Sequence, residues 1–210
     1  FTELLLTREL KPEKQKDLLG RIYRQSEAMV GIINELLDLA RIEARQGKDF
    51  SFQACNLADL VKGVIGDFKT PEGRDAPEVS WPDVPASAWV DGKKMQQAVL
   101  NILSNAYKYS PQGGAVEVGF VTRQHQGRPQ CGVFIRDHGI GLSADQLSRV
   151  GERFYRADKS GNIPGTGLGV TIVKEILELM GGSVHIESEL GAGSCVTLWV
   201  PQLDLHQVDS

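Results

Sequence analysis

The spacing of apolar residues divides the chain near residue 50. Leu19, Ile22, Ser26, Met29, Ile33, Leu36 and Ala40 follow one another in alternating steps of three and four. That is a heptad seam with one polar interruption, at Ser26, and it predicts a long helix. Pro12 suits the first turn of this helix, where a missing N–H costs nothing. Phe1 to Leu6 reads as the tail of a preceding helix, and a turn over Thr7 to Lys11 would make an antiparallel hairpin. Two helices cannot close a core alone, and Val30 and Leu37 widen the apolar face beside the seam. Two such hairpins would make a four-helix bundle, so a homodimer is predicted. The alternative is that the hairpin packs on its own C-terminal domain.

Beyond residue 50 the pattern alternates between strand and helix periods. Ser51 to Cys55 predicts a strand and Leu57 to Phe68 an amphipathic helix. Lys69 to Ser87, rich in Pro, Asp and Glu, predicts mostly loop, with a short strand near Val79 to Trp81. Asp91 to Tyr109 predicts a helix capped by Asp91. Alternation at Val116, Val118 and Phe120 predicts a strand, and Gln130 to Asp137 a second. Ser143 would cap a short helix from Ala144 to Val150. Residues 156–165 carry Gly, Asn, Pro and charge and predict a mobile loop. Gly167 to Met180 predicts a helix, and Ser183 to Glu187 with Ser194 to Val200 a closing hairpin across Gly191 and Gly193. The expected fold is therefore α+β: a helical hairpin over residues 1–48, then an α/β sandwich over 49–210 with helices on a largely antiparallel sheet.

Composition narrows the classes. The chain is 41% hydrophobic and 24% charged, ordinary for a globular protein. A net charge of −4 supplies no basic field for nucleic acid. No apolar run approaches the roughly 20 residues that span a bilayer, and no signal peptide is visible. The chain starts without Met inside a predicted helix, so it reads as a fragment, cytoplasmic in its own right, with room for a transmembrane sensor upstream. Cys55, Cys131 and Cys195 are far apart and read as free thiols of a reducing compartment. His125, His138, His185 and His206 do not stand at metal-ligand spacing.

Four segments carry candidate chemistry. In the helix after Asp91, Gln97, Asn101, Asn105 and Lys108 line one stripe beside an apolar stripe of Met95, Ile102 and Ala106. Such a stripe is commonly a solvated face. Yet Asn is a modest helix former, its amide oxygen can ligate Mg²⁺, and a lysine can meet phosphate as a point charge. Asp137-His-Gly-Ile-Gly141 follows an apolar strand. Its carboxylate can accept from an exocyclic amine such as that of adenine, and Gly139 and Gly141 permit close approach to a flat ring. A plain glycine turn is the other reading. Glu152-Arg-Phe-Tyr-Arg156 can anchor a lid by its aromatics, with Arg156 facing phosphate. Gly165-Thr-Gly-Leu-Gly169 runs into a helix, whose first N–H groups bind phosphate. It is neither a Walker motif nor a dinucleotide fingerprint.

Each segment is weak alone; their order is not. The set resembles the N, first glycine, F and second glycine boxes of histidine-kinase catalytic domains, within the fold shared with DNA gyrase, the Hsp90 chaperones and MutL. Phe1 to Leu6 and Leu36-Leu-Asp-Leu-Ala-Arg-Ile-Glu43 resemble the dimerisation and phosphoacceptor domain of the same kinases. The resemblance implies ATP and Mg²⁺ as cofactors. Asn105 would ligate the metal, with Asn101 supporting the phosphates. Lys108 would bind phosphate and Tyr109 would lie near the nucleotide. Asp137 would recognise adenine, with Gly139 and Gly141 shaping its pocket. Gly165, Thr166, Gly167, Leu168 and Gly169 would form the phosphate loop, and Arg156 would stand where the lid begins. It also implies a response-regulator receiver domain as partner.

Two departures matter. The family's phosphoacceptor His lies about ten residues before the position matching Phe1, and residues 1–50 hold no histidine. The chain is thus expected to bind ATP without phosphorylating itself at the usual site. The hydrolases of the wider fold place a Glu four residues before the metal Asn. Here that position is Asn101, which cannot act as a general base. A dimeric nucleotide sensor or scaffold without turnover is the remaining alternative to a kinase.

Overall fold

In a computed structural model, residues 2–7, 10–84, 86–157, 163 and 165–203 are described. The chain forms two compact units, Phe1–Arg41 and Ile42–Ser210. The first holds α1 (Thr2–Thr7) and most of α2 (Pro12–Arg45), which opens at the predicted proline. Parts of the predicted turn at Thr7 to Lys11 lie outside the described residues, as does most of the predicted loop over 156–165. Along α2 the seam residues Leu19, Met29, Ile33 and Leu36 are exposed, as are Val30 and Leu37 beside them. No described helix is long and apolar enough to cross a membrane.

The second unit is an α/β sheet domain. Strand β1 (Phe52–Asn56) leads into α3 (Leu57–Asp67), capped by the Asn56 side chain on the Ala58 N–H at 2.8 Å. After β2 (Glu78–Val79) comes β3 (Ser87–Asp91), a strand that the sequence pattern did not predict. It pairs antiparallel with β1, with Ala88 and Val90 buried and Trp89 exposed between them. Helix α4 (Gly92–Lys108) follows at once. The rest is β4 (Val116–His125), β5 (Arg128–Asp137), α5 (Ala144–Arg149), α6 (Gly169–Leu179), β6 (Ser183–Glu189) and β7 (Gly193–Pro201). These strands form a five-stranded sheet in the order β2-β4-β5-β7-β6, antiparallel except for the β2–β4 pair.

The predicted alternation is what buries one face of this sheet. Cys131, Val133 and Ile135 of β5 are buried, and Val118 and Leu198 oppose them on β4 and β7. Met95, Leu103, Ile172, Ile176 and Leu177 of α4 and α6 close the core. Full burial of each such side chain contributes about 1.5–3 kcal/mol. The consequence for function is positional. With α4 and α6 side by side on the sheet, the C-terminal end of α4, the turn after β5 and the loop entering α6 can share one region.

Candidate nucleotide site

Helix α4 sets out the first wall. Asp91 caps it, accepting from the Lys94 N–H at 3.0 Å, and its other carboxylate oxygen takes the Ser51 N–H at 2.7 Å. The apolar stripe of Met95, Ile102 and Ala106 is buried, which fixes the rotation of the helix. Gln97, Asn101, Asn105 and Lys108 are therefore left along its half-buried edge. The helix ends at Tyr109, whose N–H bonds the Asn105 carbonyl at 2.9 Å, and Lys108 Nζ stands 4.8 Å from the Tyr109 ring centre.

The turn after β5 supplies the second wall and is fastened to the first through main-chain atoms. The Tyr109 carbonyl accepts the Ile140 N–H at 3.0 Å, and a Cβ at Gly139 would overlap that same carbonyl. Only glycine fits there. Gly141, at φ +60°, lies against the Glu189 carbonyl with equally little room, and the Gly191 N–H bonds the Ile140 carbonyl at 2.8 Å. The final hairpin thus braces the turn from behind. Asp137 is 7% exposed, and one of its carboxylate oxygens accepts the Gly139 N–H at 2.9 Å. Burial pushes its carboxyl up from the ordinary value, offset in part by the backbone of Gly139 and Ser194 and by His138.

The loop entering α6 forms the third wall. A Cβ at Gly165 would strike Lys108 Nζ, and one at Gly169 would lie 3.8 Å from the Asn105 amide nitrogen. Gly167, at φ +76°, abuts the backbone of Phe154 and Tyr155, where a Cβ would stand 2.6 Å from the Tyr155 carbonyl. Thr166 turns inward on the loop, its hydroxyl accepting the Leu168 N–H at 3.1 Å. Leu168 is fully buried, and its side chain anchors the loop in the core. The helix begins at Gly169, two residues later than its sequence pattern predicts. Arg156 donates to the Ile163 carbonyl at 2.5 Å, a bond across the base of the loop. Phe154 is exposed with φ +63°, a rare conformation for a bulky residue.

The structure thus brings Asn105, Lys108 and Tyr109 together with Gly139, Gly165 and Gly169, while Asn101 lies one turn back on the same edge. Sequence reasoning missed Arg74. It donates to the carbonyls of Ser110 and Gly114 at 2.7 and 2.9 Å, directly behind the end of α4. No spacing rule connects a loop arginine to a helix whose last residue, Lys108, lies 34 positions on. Only the fold does.

Residues 90–204 match the family described as histidine kinase-, DNA gyrase B- and HSP90-like ATPase, and residues 1–45 match the His Kinase A (phospho-acceptor) domain. The chain is 34% identical over 199 residues to the sensor histidine kinase GacS of Pseudomonas protegens, spanning 92% of this chain and 22% of that protein. Against the sensor histidine kinase WalK of Bacillus subtilis it is 30% identical, spanning 93% and 33%. It therefore spans about a fifth to a third of the length of these relatives. Among solved structures, the Acinetobacter baumannii histidine kinase AdeS superposes with a TM-score of 0.73 at 18% identity, covering 97% of this chain and 92% of that one. Full-length ShkA in complex with AMPPNP superposes at 0.72 and 24% identity, covering 95% and 41%. With a His Kinase A segment followed by an ATPase domain whose glycine turns and asparagine helix converge, the chain belongs to the sensor histidine kinase family.

Proposed function

We propose that this chain is the MgATP-binding core of a two-component histidine kinase. In that role it transfers the γ-phosphate to a histidine on a dimerisation helix, from which it passes to an aspartate of a response-regulator receiver domain. The observation that carries the reading is the meeting of Asn105 and Lys108 with the glycines of the α6 loop, while Tyr109 is tied to the turn that follows Asp137.

The residues fit a nucleotide. The buried Asp137 carboxylate accepts the adenine amine, and Gly139 and Gly141 shape the base pocket by letting the turn pack directly on the end of α4 and on the final hairpin. Lys108 and the first N–H groups of α6 take the phosphates. The Asn105 amide oxygen suits Mg²⁺, which takes few protein ligands and completes its shell with phosphate oxygens and water. Bound there, the ion would spread the charge that builds on the transferred group. Asn101 supports the phosphates, and Arg156, through Ile163, orders the base of the lid. We assign residues 1–48 to the dimerisation and phosphoacceptor hairpin, without its phosphoacceptor His, residues 49–210 to ATP binding and catalysis, and the chain to the cytoplasm. The exposed seam of α2 supports a homodimer.

A mixing experiment tests the reading. This chain, MgATP and a separate helical hairpin bearing the phosphoacceptor His should yield phosphohistidine, and Asn105→Ala should abolish it. Nucleotide binding with no transfer to any such hairpin would instead favour a sensor or scaffold without turnover.

A further inference from the structure

The end of α4 is held from two sides, and only one of them belongs to the boxes already described. On the inner side, the Tyr109 carbonyl receives the Ile140 N–H at 3.0 Å. On the outer side stands Arg74, from the charged stretch between α3 and β2. Its Nη1 donates to the Ser110 carbonyl at 2.7 Å and more weakly to that of Tyr107 at 3.4 Å. Its Nη2 donates to Ser110 Oγ at 3.1 Å and to the Gly114 carbonyl at 2.9 Å. The guanidinium carbon lies 5.0 Å from the centre of the Tyr107 ring, whose hydroxyl donates back to the Asp75 carbonyl at 2.9 Å. Ser110 is buried and returns its own hydroxyl to the Ala106 carbonyl at 2.6 Å.

We propose that Arg74 is a positioning residue for the nucleotide site, acting through the C-terminus of α4 to hold Lys108 and Tyr109 in register with the turn that carries Asp137. The proposal rests on the nucleotide reading above and adds to it a residue outside every box. The chemistry selects arginine. The last carbonyls of a helix have no intrahelical donors and carry the negative end of its dipole. Here the fork reaches one of them, the Tyr107 carbonyl, together with the Ser110 and Gly114 carbonyls of the turn that follows. A planar fork can serve several such acceptors at once while stacking on an aromatic face, and a lysine can serve one or two. Without the fork, the Ser110–Gly114 segment, which directly follows Tyr109, loses its ties to Arg74, and the Tyr109 carbonyl that receives the Ile140 N–H sits on a looser segment. Lys108 and Asp137 address opposite ends of one ligand, so drift between them weakens binding without removing any group that touches it.

The test pairs calorimetric titration of the chain with MgADP and residue-resolved amide exchange. Arg74→Met keeps the aliphatic stem and removes the fork. It should weaken MgADP binding on the order of tenfold, the scale of one charge-assisted hydrogen bond. It should also speed exchange of the Ile140 amide by a similar factor, while the amides of β5 and β7 keep their protection. Arg74→Lys should recover part of both effects. A general loss of protection across the sheet, or an Ile140 amide that exchanges as before, would overturn the proposal, since either assigns Arg74 to stability alone. If the parent chain itself took up no MgADP, the nucleotide reading would fall, and the proposal with it, whatever the exchange data gave. Asp137→Asn, which keeps an acceptor for the Gly139 N–H, separates the two: it should lose affinity with the Ile140 amide unchanged.

Discussion

The ligand role proposed for Asp137 would come at the expense of the fold. A carboxylate that accepts from adenine must be sheltered from water, yet shelter opposes its charge. Asp137→Ala should weaken ATP binding by about 1.5–3 kcal/mol, read by calorimetric titration; unchanged affinity would remove it from the base pocket. The raised carboxyl means that the folded protein holds that proton more firmly than the unfolded chain does. Its stabilising contribution is complete below the ordinary aspartate value of about 3.9 and is lost as pH climbs through the raised folded value. Asp137→Asn never ionises. Its Tm should match the parent's at the acid end of that window and exceed it at pH 7, in the same scans that find nucleotide binding weakened. Equal Tm at both ends would mean that the buried charge costs the fold nothing.

At the level of elements, the α6 loop is the most constrained piece. Gly167 holds φ +76° with the Phe154 and Tyr155 backbone against it. Gly167→Ala should cost about 1–3 kcal/mol in urea unfolding and displace the phosphate loop. If the variant unfolded like the parent, this packing would not be native. Helices were legible in the sequence where period and cap agreed. In α4 the Asp91 cap, the buried stripe and the polar edge all fall where the spacing put them, and Ser143 and Gln146 form a full capping box on α5. Strand β3 was not legible. Its alternation lasts only from Ala88 to Val90, between a proline-containing stretch and a helix cap, and its order comes from pairing with β1. The α6 start was misplaced because Gly167 and Leu168 belong to the pattern of the helix but their backbone serves the loop. The polar edge of α4 was visible as composition, yet its link to the Ile140 turn exists only once the sheet has formed.

For the molecule as a whole, the apolar seam of α2 gives the sharpest expectation. Leu19, Met29, Ile33 and Leu36 have no reason to stay in water along a 34-residue helix. Ile33→Glu should turn a dimer into a monomer by sedimentation velocity and leave MgADP affinity unchanged, because the seam and the nucleotide residues fall in different compact units. A parent chain that sediments as a monomer would send the seam back to packing on its own domain. The clasp at Ile140 has a different bearing. It joins helix end, turn and hairpin through an amide hydrogen and a carbonyl that every ordinary residue possesses, while the Ile140 side chain points partly to solvent. Descendants of this gene can therefore rewrite position 140 almost freely and keep the joint. Proline, which has no hydrogen to give, is the substitution that drift cannot afford there.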